Sequence, residues 1–311
     1  MTQEKMLRTA FGEALVELGE DYPNLVVLDA DISASLKTGA FGRQYPHRHF
    51  NFGVAEQNMM MSAAGLASTG LIPLVCTYAT FASMRACEQI RSMICYPKLN
   101  VKIIASHGGI EVGWDGPTHQ ATEDIAMMRS IPNMTVVVPA DAVATLPLLR
   151  QSIELDGPVY FRMGRNPAPI IYPESQKIHL GKANILIDGS NVLLVATGIM
   201  VATALQAAKE LSDMNISCCV MDMHTIKPLD EKTLLEQASG KKLVVTLEDH
   251  NIMGGLGGAV AECLCTKATA PLIRIGLQDC FAESGDPKEL FRKYEMDSHA
   301  VIQTVRQFFN Q

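Results

Sequence analysis

Short apolar runs alternate along the chain with stretches in which apolar residues recur every three to four positions. In the first half, the apolar runs are rich in β-branched residues and predict strands at 24–28, 72–76, 101–104, 135–138 and 158–161. The stretches between them predict helices at 3–19, 54–69, 80–94, 122–130 and 141–155. This order is typical of a mostly parallel sheet covered on both faces.

The second half repeats the alternation. It predicts strands at 191–195, 216–220, 243–247 and 272–275, and helices at 199–212, 230–239 and 256–267. Between the halves lies a segment with Pro167, Pro169 and Pro173 and no sustained period, which suits a linker. We therefore predict an α/β fold with two open, mostly parallel sheets and helices on both faces. The predicted domains span 1–170 and 184–311, joined by a linker at 171–183.

Charge and composition narrow the class of protein. The 311 residues include 33 acidic and 26 basic side chains, a formal charge of −7, so we expect no nucleic-acid or anionic-membrane partner. No apolar run approaches the 18 residues of a membrane span, and the first 20 residues lack a signal-peptide pattern, so we expect a cytoplasmic protein. Eight cysteines without a CxxC pair or zinc-type spacing are interpreted as reduced core thiols.

Candidate chemistry follows the predicted strands, because ligands of open parallel sheets gather beyond the carboxyl ends of the strands. After the first strand, 29–37 is a polar loop that suits either a solvated turn or a ligand site. Further along, an aromatic strand stops at Gly53, and Glu56 enters the first turn of a helix that is apolar nearly all round. That glutamate could simply favour the helix dipole, but burial of such a helix makes it a candidate functional carboxyl.

The loop at 106–124 is the richest in candidate groups, with His107, Asp115, His119 and four glycines. His119 and Glu123 are four residues apart and could share a metal, but no third ligand is specified, so we predict no metal site. A fourth loop carries Arg162 and Arg165, which could clamp an anion or form surface ion pairs.

The glycine-rich segment 254–258 follows a strand and opens a helix, but it lacks the third glycine of a dinucleotide fingerprint. We interpret it as close backbone packing. The residues alone thus predict an α/β enzyme with a pocket lined by histidine and arginine.

Three motifs together resemble the transketolase family of thiamine diphosphate enzymes. They are Phe52-Gly-Val-Ala-Glu56-Gln, Cys76-Thr-Tyr78-Ala-Thr-Phe81, and Ser106-His107 followed by Val112-Gly-Trp-Asp115-Gly-Pro-Thr-His119-Gln. The resemblance covers nearly the whole chain: its first part is similar to a pyrimidine-binding domain, and its second to a transketolase C-terminal domain.

A Gly-Asp-Gly motif followed by the asparagine that holds diphosphate and metal in this family is missing; Gly285-Asp286-Pro287 lacks the last glycine. The resemblance therefore implies the C-terminal subunit of a split, two-chain transketolase. Its partner would be an N-terminal diphosphate-binding subunit that supplies the ligands of a magnesium or calcium ion. An α2β2 assembly is implied as well.

The resemblance also implies roles for individual residues. Glu56, His107 and His119 match catalytic positions, Glu56 being the carboxyl that hydrogen-bonds the aminopyrimidine of thiamine diphosphate. The matched cofactor-binding residues are Glu56, Tyr78, Phe81, Asp31 and Met84, the last replacing a third aromatic found in many relatives. The matched positions for a sugar phosphate are Arg8, Ser35, His107, Asp115, His119 and Arg165.

The implied reaction is transfer of a two-carbon ketol unit from a ketose phosphate to an aldose, with phosphate or another tetrahedral anion such as sulfonate on the sugar. Deoxyxylulose-phosphate synthase and other thiamine diphosphate-dependent carboligases are the alternatives. His107 and Pro117 argue against the synthase, which usually has aspartate and glutamine at these two positions. A non-catalytic regulatory homologue and a stand-alone nucleotide-binding α/β protein are further alternatives.

Overall fold

The computed structural model describes residues 3–265, 267 and 270–310. In the first half, strands alternate with helices. The strands are β1 (Glu4–Met6), β2 (Leu25–Asp29), β3 (His49–Asn51), β4 (Ile72–Tyr78), β5 (Lys102–Ser106), β6 (Thr135–Val137), β7 (Val159–Arg162) and β8 (Pro167–Pro169). The helices are α1 (Leu7–Asp21), α2 (Ser33–Leu36), α3 (Gly39–Gln44), α4 (Glu56–Ala67), α5 (Cys87–Gln89), α6 (Asp124–Ser130) and α7 (Ala142–Glu154).

Four further helical segments are not α-helical. The segments Phe81–Arg85 and Ile90–Cys95, on either side of α5, are π-helical, and Pro46–Arg48 and Ile110–Asp115 are 3₁₀-helical. π turns are frequent at functional sites.

The second half continues with further strands and helices. The strands are β9 (Asn184–Ile187), β10 (Val192–Ala196), β11 (Cys218–Asp222), β12 (Thr225–Lys227), β13 (Leu243–Asn251) and β14 (Leu272–Leu277). The helices are α8 (Met200–Ser212), α9 (Glu231–Ala238), α10 (Leu256–Leu264), α11 (Pro287–Lys293) and α12 (Ser298–Phe309).

The first sheet has seven strands in the order β12-β6-β7-β5-β4-β2-β3, parallel except for β12. Every residue of β2, β5 and β7 is buried, as expected for strands covered on both faces. The second sheet has the order β14-β13-β10-β11-β9, and only β9 is antiparallel within it. The chain is therefore an α/β protein with two mostly parallel sheets, as predicted.

Several elements differ from the prediction, and the short edge strands among them do so for a tertiary reason. Residues 4–6, predicted within a helix, form β1 and pair with β8 in a third, two-stranded sheet. β12 comes from the second half yet forms the edge of the first sheet, where Thr225 pairs with Val137. β9, α11 and α12 were not predicted either. Short edge strands of this kind depend on their distant partner more than on their own sequence.

One apolar core crosses from the first half to the second. It contains Leu149 of α7, Leu194 of β10 and Val301 of α12, all fully buried. Within the described residues, no helix is long and apolar enough to cross a membrane. The domain limits at 170 and 184 stay a prediction, and β12 shows that the sheets do not follow those limits strictly.

Candidate active site

The candidate site lies at one edge of the first sheet, where parallel strands reach their carboxyl ends. β2, β4, β5 and β7 are consecutive or near neighbours in the sheet, so the segments that follow them leave at the same edge. These segments hold most of the candidate residues predicted from the sequence. This is the position that the strand-end rule predicts.

Glu56 is the first residue of α4 and is 1% exposed. Its Oε2 lies 2.8 Å from Nη1 of Arg85, and its Oε1 accepts a hydrogen bond from Oγ1 of Thr77 at 3.4 Å. The apolar residues Met59 and Met60 that follow it are fully buried and hold the start of the helix against the sheet. The glutamate is thus a buried, partnered carboxyl and not a solvent-facing charge at a helix end.

Aromatic and imidazole rings form a wall beside this carboxyl. The ring of Tyr78 lies 3.9 Å from that of His107 and 6.1 Å from that of Phe81, measured between centroids. His119 is 5.3 Å from Phe81, edge to face. Tyr78 ends β4 and His107 directly follows the neighbouring strand β5, so the register of the two strands brings the rings together. Such a wall can stack against a flat ring.

Two arginines from distant parts of the chain lie next to His107. Arg8 is 9% exposed, and its Nη1 donates to the carbonyl oxygen and to Oγ of Ser35, both at 2.8 Å. Its Nη2 donates to the carbonyl oxygen of Arg165 at 2.7 Å. Arg165 donates from Nη1 to the carbonyl oxygen of Val112 at 2.7 Å. These acceptors are neutral oxygens, and the one carboxylate paired with the cluster, Asp115 at 3.5 Å from Nη2 of Arg165, leaves the two arginines in excess, so the cluster suits an anion.

His107 is held neutral by this setting. Burial lowers its pKa to about 3, with further contributions from the charges of Arg8, Arg165 and His119. Its Nδ1 lies 2.9 Å from Oγ of Ser106. The residue has a positive φ of 61°, which non-glycine residues rarely adopt outside sites where the surroundings impose it. A neutral imidazole still has one N–H group, which can donate a hydrogen bond to an anion held by the arginines.

Asp115 and His119 stand at the open side of the site. Oδ1 of Asp115 is 3.5 Å from Nη2 of Arg165, and both side chains are about one-third exposed. Nδ1 of His119 lies 3.0 Å from Oγ1 of Thr118. His119 and Glu123 do not share a helix, because α6 begins only at Asp124. Within the described part of the chain, no three metal-ligating side chains come close enough to hold an ion.

Two predicted cofactor residues lie at the margin of the cluster. Asp31 is exposed and accepts a hydrogen bond from Nδ2 of Asn51 at 2.9 Å, with a positive φ of 64°. Met84 is 47% exposed on the π turn between Phe81 and Arg85. The contacts among the rings do not involve these two residues. Their assignment to the cofactor therefore stays a prediction.

Three groups near the site escaped the sequence analysis. Arg85 pairs with Glu56. The only sequence signal for Arg85 was its spacing of four residues from Phe81, which is typical of side chains on one helical face. Glu111 and Asp249, which are 138 residues apart, are both buried, and Oδ2 of Asp249 accepts from the backbone nitrogen of Glu111. No local pattern could have shown that second pair.

Arg162, considered as an anion clamp, has a structural role instead. It is 5% exposed, and its Nε donates to Oδ2 of Asp124 at 2.8 Å. Its Nη2 donates to the carbonyl oxygens of Ala121 and Asp249. The glycine-rich segment after β13 is close packing, as predicted: the backbone nitrogens of Leu256 and Gly257 donate to the buried Glu248 carboxylate.

Comparison with known proteins places this geometry in a family. Residues 3–169 match the family description "Transketolase, pyrimidine binding domain", and residues 181–301 match "Transketolase, C-terminal domain". A protein of Methanocaldococcus jannaschii described as a transketolase C-terminal section is 47% identical over 304 residues, covering 97% of this chain and 95% of the relative.

A second relative, from a Clostridium species, is described as a 6-deoxy-6-sulfo-D-fructose transketolase subunit. It is 40% identical over 305 residues, covering 98% of this chain and 95% of the relative. Among solved structures, one titled "Split gene transketolase, inactive beta4 tetramer" superposes with a TM-score of 0.90 at 44% identity, covering 99% of both chains. The chain therefore belongs to the transketolase family, as a member similar over its whole length to the C-terminal section of a split transketolase.

Proposed function

We propose that this chain is the C-terminal subunit of a thiamine diphosphate-dependent transketolase. It would transfer a two-carbon ketol unit from a ketose phosphate to an aldose, together with a separate diphosphate-binding subunit. The observation that carries this proposal is a continuous set of contacts: Arg85 joins the buried Glu56 carboxyl to the Phe81 ring, and the neighbouring Tyr78 donates to Ser35 of the arginine cluster.

The residues present fit the pyrimidine half of the cofactor. An aminopyrimidine is flat and carries ring nitrogens and an amino group, so it needs a carboxyl partner and an aromatic surface. Glu56 supplies a carboxyl that faces this wall from the start of a fixed helix, and Tyr78 and Phe81 supply the rings. When bound, the cofactor would supply the electron sink that carbon–carbon bond cleavage requires. The role of Glu56 would be to hold a proton at the pyrimidine nitrogen that it faces.

The substrate half of the site would be the arginine cluster. Arg8, Arg165, Ser35 and neutral His107 offer donors to a tetrahedral anion at the end of a sugar. Asp115 and His119, at the open side, would contact the sugar hydroxyls, with His119 moving a proton near the reacting carbon. One relative is described as acting on a sulfo-sugar, so both phosphate and sulfonate belong to the candidate anions.

The partner is proposed on chemical grounds. This sequence lacks the Gly-Asp-Gly motif with its following asparagine, so the diphosphate and its magnesium or calcium ion would be held by the N-terminal subunit. The similar solved structure is titled an inactive tetramer of β chains, a description that fits a subunit needing a different chain for activity. We propose an α2β2 assembly with the pyrimidine-binding domain over 1–170.

A coupled ketol-transfer assay tests the proposal directly. The chain is purified together with a diphosphate-binding subunit of the split type, and xylulose 5-phosphate and ribose 5-phosphate are supplied with thiamine diphosphate and magnesium. We expect activity only when both chains and the cofactor are present. In Glu56→Gln the rate should fall at least about 100-fold, the lower end of what a positioned proton-transfer group contributes.

The matched control is Glu88→Gln, at an exposed glutamate on the neighbouring helix α5, which should leave the rate unchanged. Transfer from a 6-sulfo ketose but not from xylulose 5-phosphate would move the anion to sulfonate and keep the reaction. Condensation of pyruvate with a triose phosphate would replace the transketolase proposal by a synthase. An assembled pair that binds no cofactor would leave the chain as a regulatory homologue.

A further inference from the structure

One arginine, Arg85, contacts both the carboxyl and the ring that the proposed cofactor would need. Nη1 of Arg85 lies 2.8 Å from Oε2 of Glu56, and the guanidinium carbon of Arg85 is 4.3 Å from the centroid of the Phe81 ring. The guanidinium thus contacts the buried carboxyl and one ring of the aromatic wall at the same time.

These two contacts resemble those proposed for the aminopyrimidine. A guanidinium is planar, presents N–H donors in its plane and stacks on aromatic faces. An aminopyrimidine facing Glu56 would use the same carboxylate, and stacking on the wall would use the same ring of Phe81. Arg85 holds Oε2 of Glu56 and lies over the Phe81 ring, so a pyrimidine that used the same oxygen and the same ring would have to take its place.

Of the two partners, Arg85 is the one free to move. The side chain of Glu56 is 2% exposed and starts a helix packed on the sheet, whereas the side chain of Arg85 is 44% exposed. Arg85 ends the π turn Phe81–Arg85, and its long stem can carry the guanidinium out into water. The buried Glu56 carboxyl needs a partner, and a ligand that donates a hydrogen bond to it can take over that role when the half-exposed guanidinium moves into water.

We propose that Arg85 is a positioning residue which holds the Glu56 side chain in place while the pyrimidine site is empty, and which the cofactor displaces. This inference rests on the proposed function. Arg85 then acts as an internal competitor, so that its removal tightens cofactor binding. A residue with a merely structural role would have the opposite effect, since its loss would loosen the site.

The test measures the affinity of the assembled two-chain protein for thiamine diphosphate, with magnesium present, by titration calorimetry. Arg85→Met keeps a long stem that can pack on Phe81 but has no donor for Glu56. We expect its dissociation constant to be about five- to tenfold lower than that of the wild type, which corresponds to a charge-assisted hydrogen bond of modest net strength. Arg91→Met, at an exposed arginine of the same helical segment, controls for the loss of charge and should bind as the wild type does.

Thermal unfolding of the same samples gives a second readout. Without cofactor, Arg85→Met should melt below the wild type because Glu56 has lost its partner. At saturating cofactor the difference should disappear, because the ion pair is then open in the wild type and absent from the variant. Arg85→Lys keeps the charge but not the planar donors, so its affinity for the cofactor should lie between those of the wild type and Arg85→Met. It replaces Arg85→Met in the test if the methionine variant does not fold.

The outcomes separate the two proposals. An Arg85→Met protein that binds cofactor as weakly as the wild type, or more weakly, overturns the role of Arg85 and leaves the proposed function standing. If only Arg85→Lys folds, an affinity no higher than the wild type overturns it equally. A wild-type pair that binds no thiamine diphosphate overturns both.

Discussion

His107 is enclosed by the Tyr78 ring on one side and by the charges of Arg8 and Arg165 on the other. Burial and these cations act in the same direction on its imidazole, since each disfavours the protonated form. The pKa of about 3 leaves the ring neutral at every pH at which the protein is expected to work. The anion proposed for this site would therefore meet two cations and a neutral donor.

This protonation state can be measured. In ¹⁵N spectra of the imidazole nitrogens, we expect His107 to show a neutral pattern throughout the range from pH 8 to pH 5, with the signal assigned by its loss in His107→Gln. The folded pKa is below the unfolded value of about 6.5, so this residue lowers stability only as the pH falls below that value. A titration of the His107 signal with a midpoint above pH 5 would contradict the electrostatic account.

Glu111 shows the opposite shift. Burial and the nearby Asp249 raise its pKa to about 8, so it is mostly protonated at pH 7. Because the folded state binds this proton and the unfolded state releases it above about 4.5, stability should decrease as the pH rises from about 4.5 to 8. The slope from one such group is at most about 1.4 kcal/mol per pH unit.

Glu111→Gln tests this prediction because glutamine imitates the protonated acid. Oε1 of Glu111 accepts from the backbone nitrogens of Arg165 and Asn166, and an amide oxygen can accept the same bonds. We expect the variant to be about as stable as the wild type near pH 4, more stable at pH 6, and more stable by a larger margin at pH 8.5 in urea unfolding. Equal pH dependence in the two proteins would show that Glu111 is ionised in the fold.

At the scale of elements, α7 depends on one side chain that also fixes the following linker. Asp141 is fully buried, and its Oδ1 accepts from the backbone nitrogen of Ala144, which caps the helix. Its Oδ2 accepts from the backbone nitrogens of Ile171 and Tyr172 at 2.6 and 2.9 Å. The start of the helix and the backbone of Ile171 and Tyr172 are therefore held by the same carboxylate.

We expect Asp141→Ala to lower the free energy of unfolding by about 2–4 kcal/mol, the loss of a helix cap plus buried donors left without an acceptor. The matched control is Asp297→Ala, which removes only the cap of α12, where the side chain accepts from Ala300. That change should cost about 1 kcal/mol. Equal losses in urea unfolding would mean that the bonds to the linker contribute nothing.

The elements that the sequence predicted are those with a strong period and a buried face. β5 and β10 were recognised because continuous apolar runs indicate strands covered on both sides. β1 and β12 were missed because three-residue strands exist only through their distant partners. α12 carried usable signals that went unread, with Asp297 as its cap and buried apolar residues three to four positions apart.

The same division applies to the site. His107 directly follows β5, Glu56 starts α4, and Arg165 lies in the loop after β7, so a rule about sheet edges finds them from the sequence. The contact between Arg85 and Glu56 could not be found, because it depends on how α4 packs beside the π turn. Protonation states also stayed hidden, since burial by distant residues sets them.

For the whole molecule, the contacts between the halves run through a buried ionic cluster as well as the apolar core. Arg162 is the last residue of β7. It donates to Asp124 in the first half and to the carbonyl oxygen of Asp249 in the second. The hydroxyl of Tyr160 also donates to Asp124, at 2.7 Å. β12 and the bonds from Lys227 to the carbonyl oxygens of Arg129 and Ile131 add a second connection.

Removing one member of this cluster should destabilise the entire chain as a unit. In Arg162→Met, Asp124 is left as a buried carboxylate without its cation, a change that typically costs about 3–5 kcal/mol. Adding Asp124→Asn removes the stranded charge and keeps an oxygen for the Tyr160 hydroxyl, so the double variant should recover a large part of the loss. If the halves are held as one cooperative unit, calorimetry should show a single transition that shifts as a whole in both variants. A second transition in Arg162→Met, with one half melting at the wild-type temperature, would show instead that the halves fold separately.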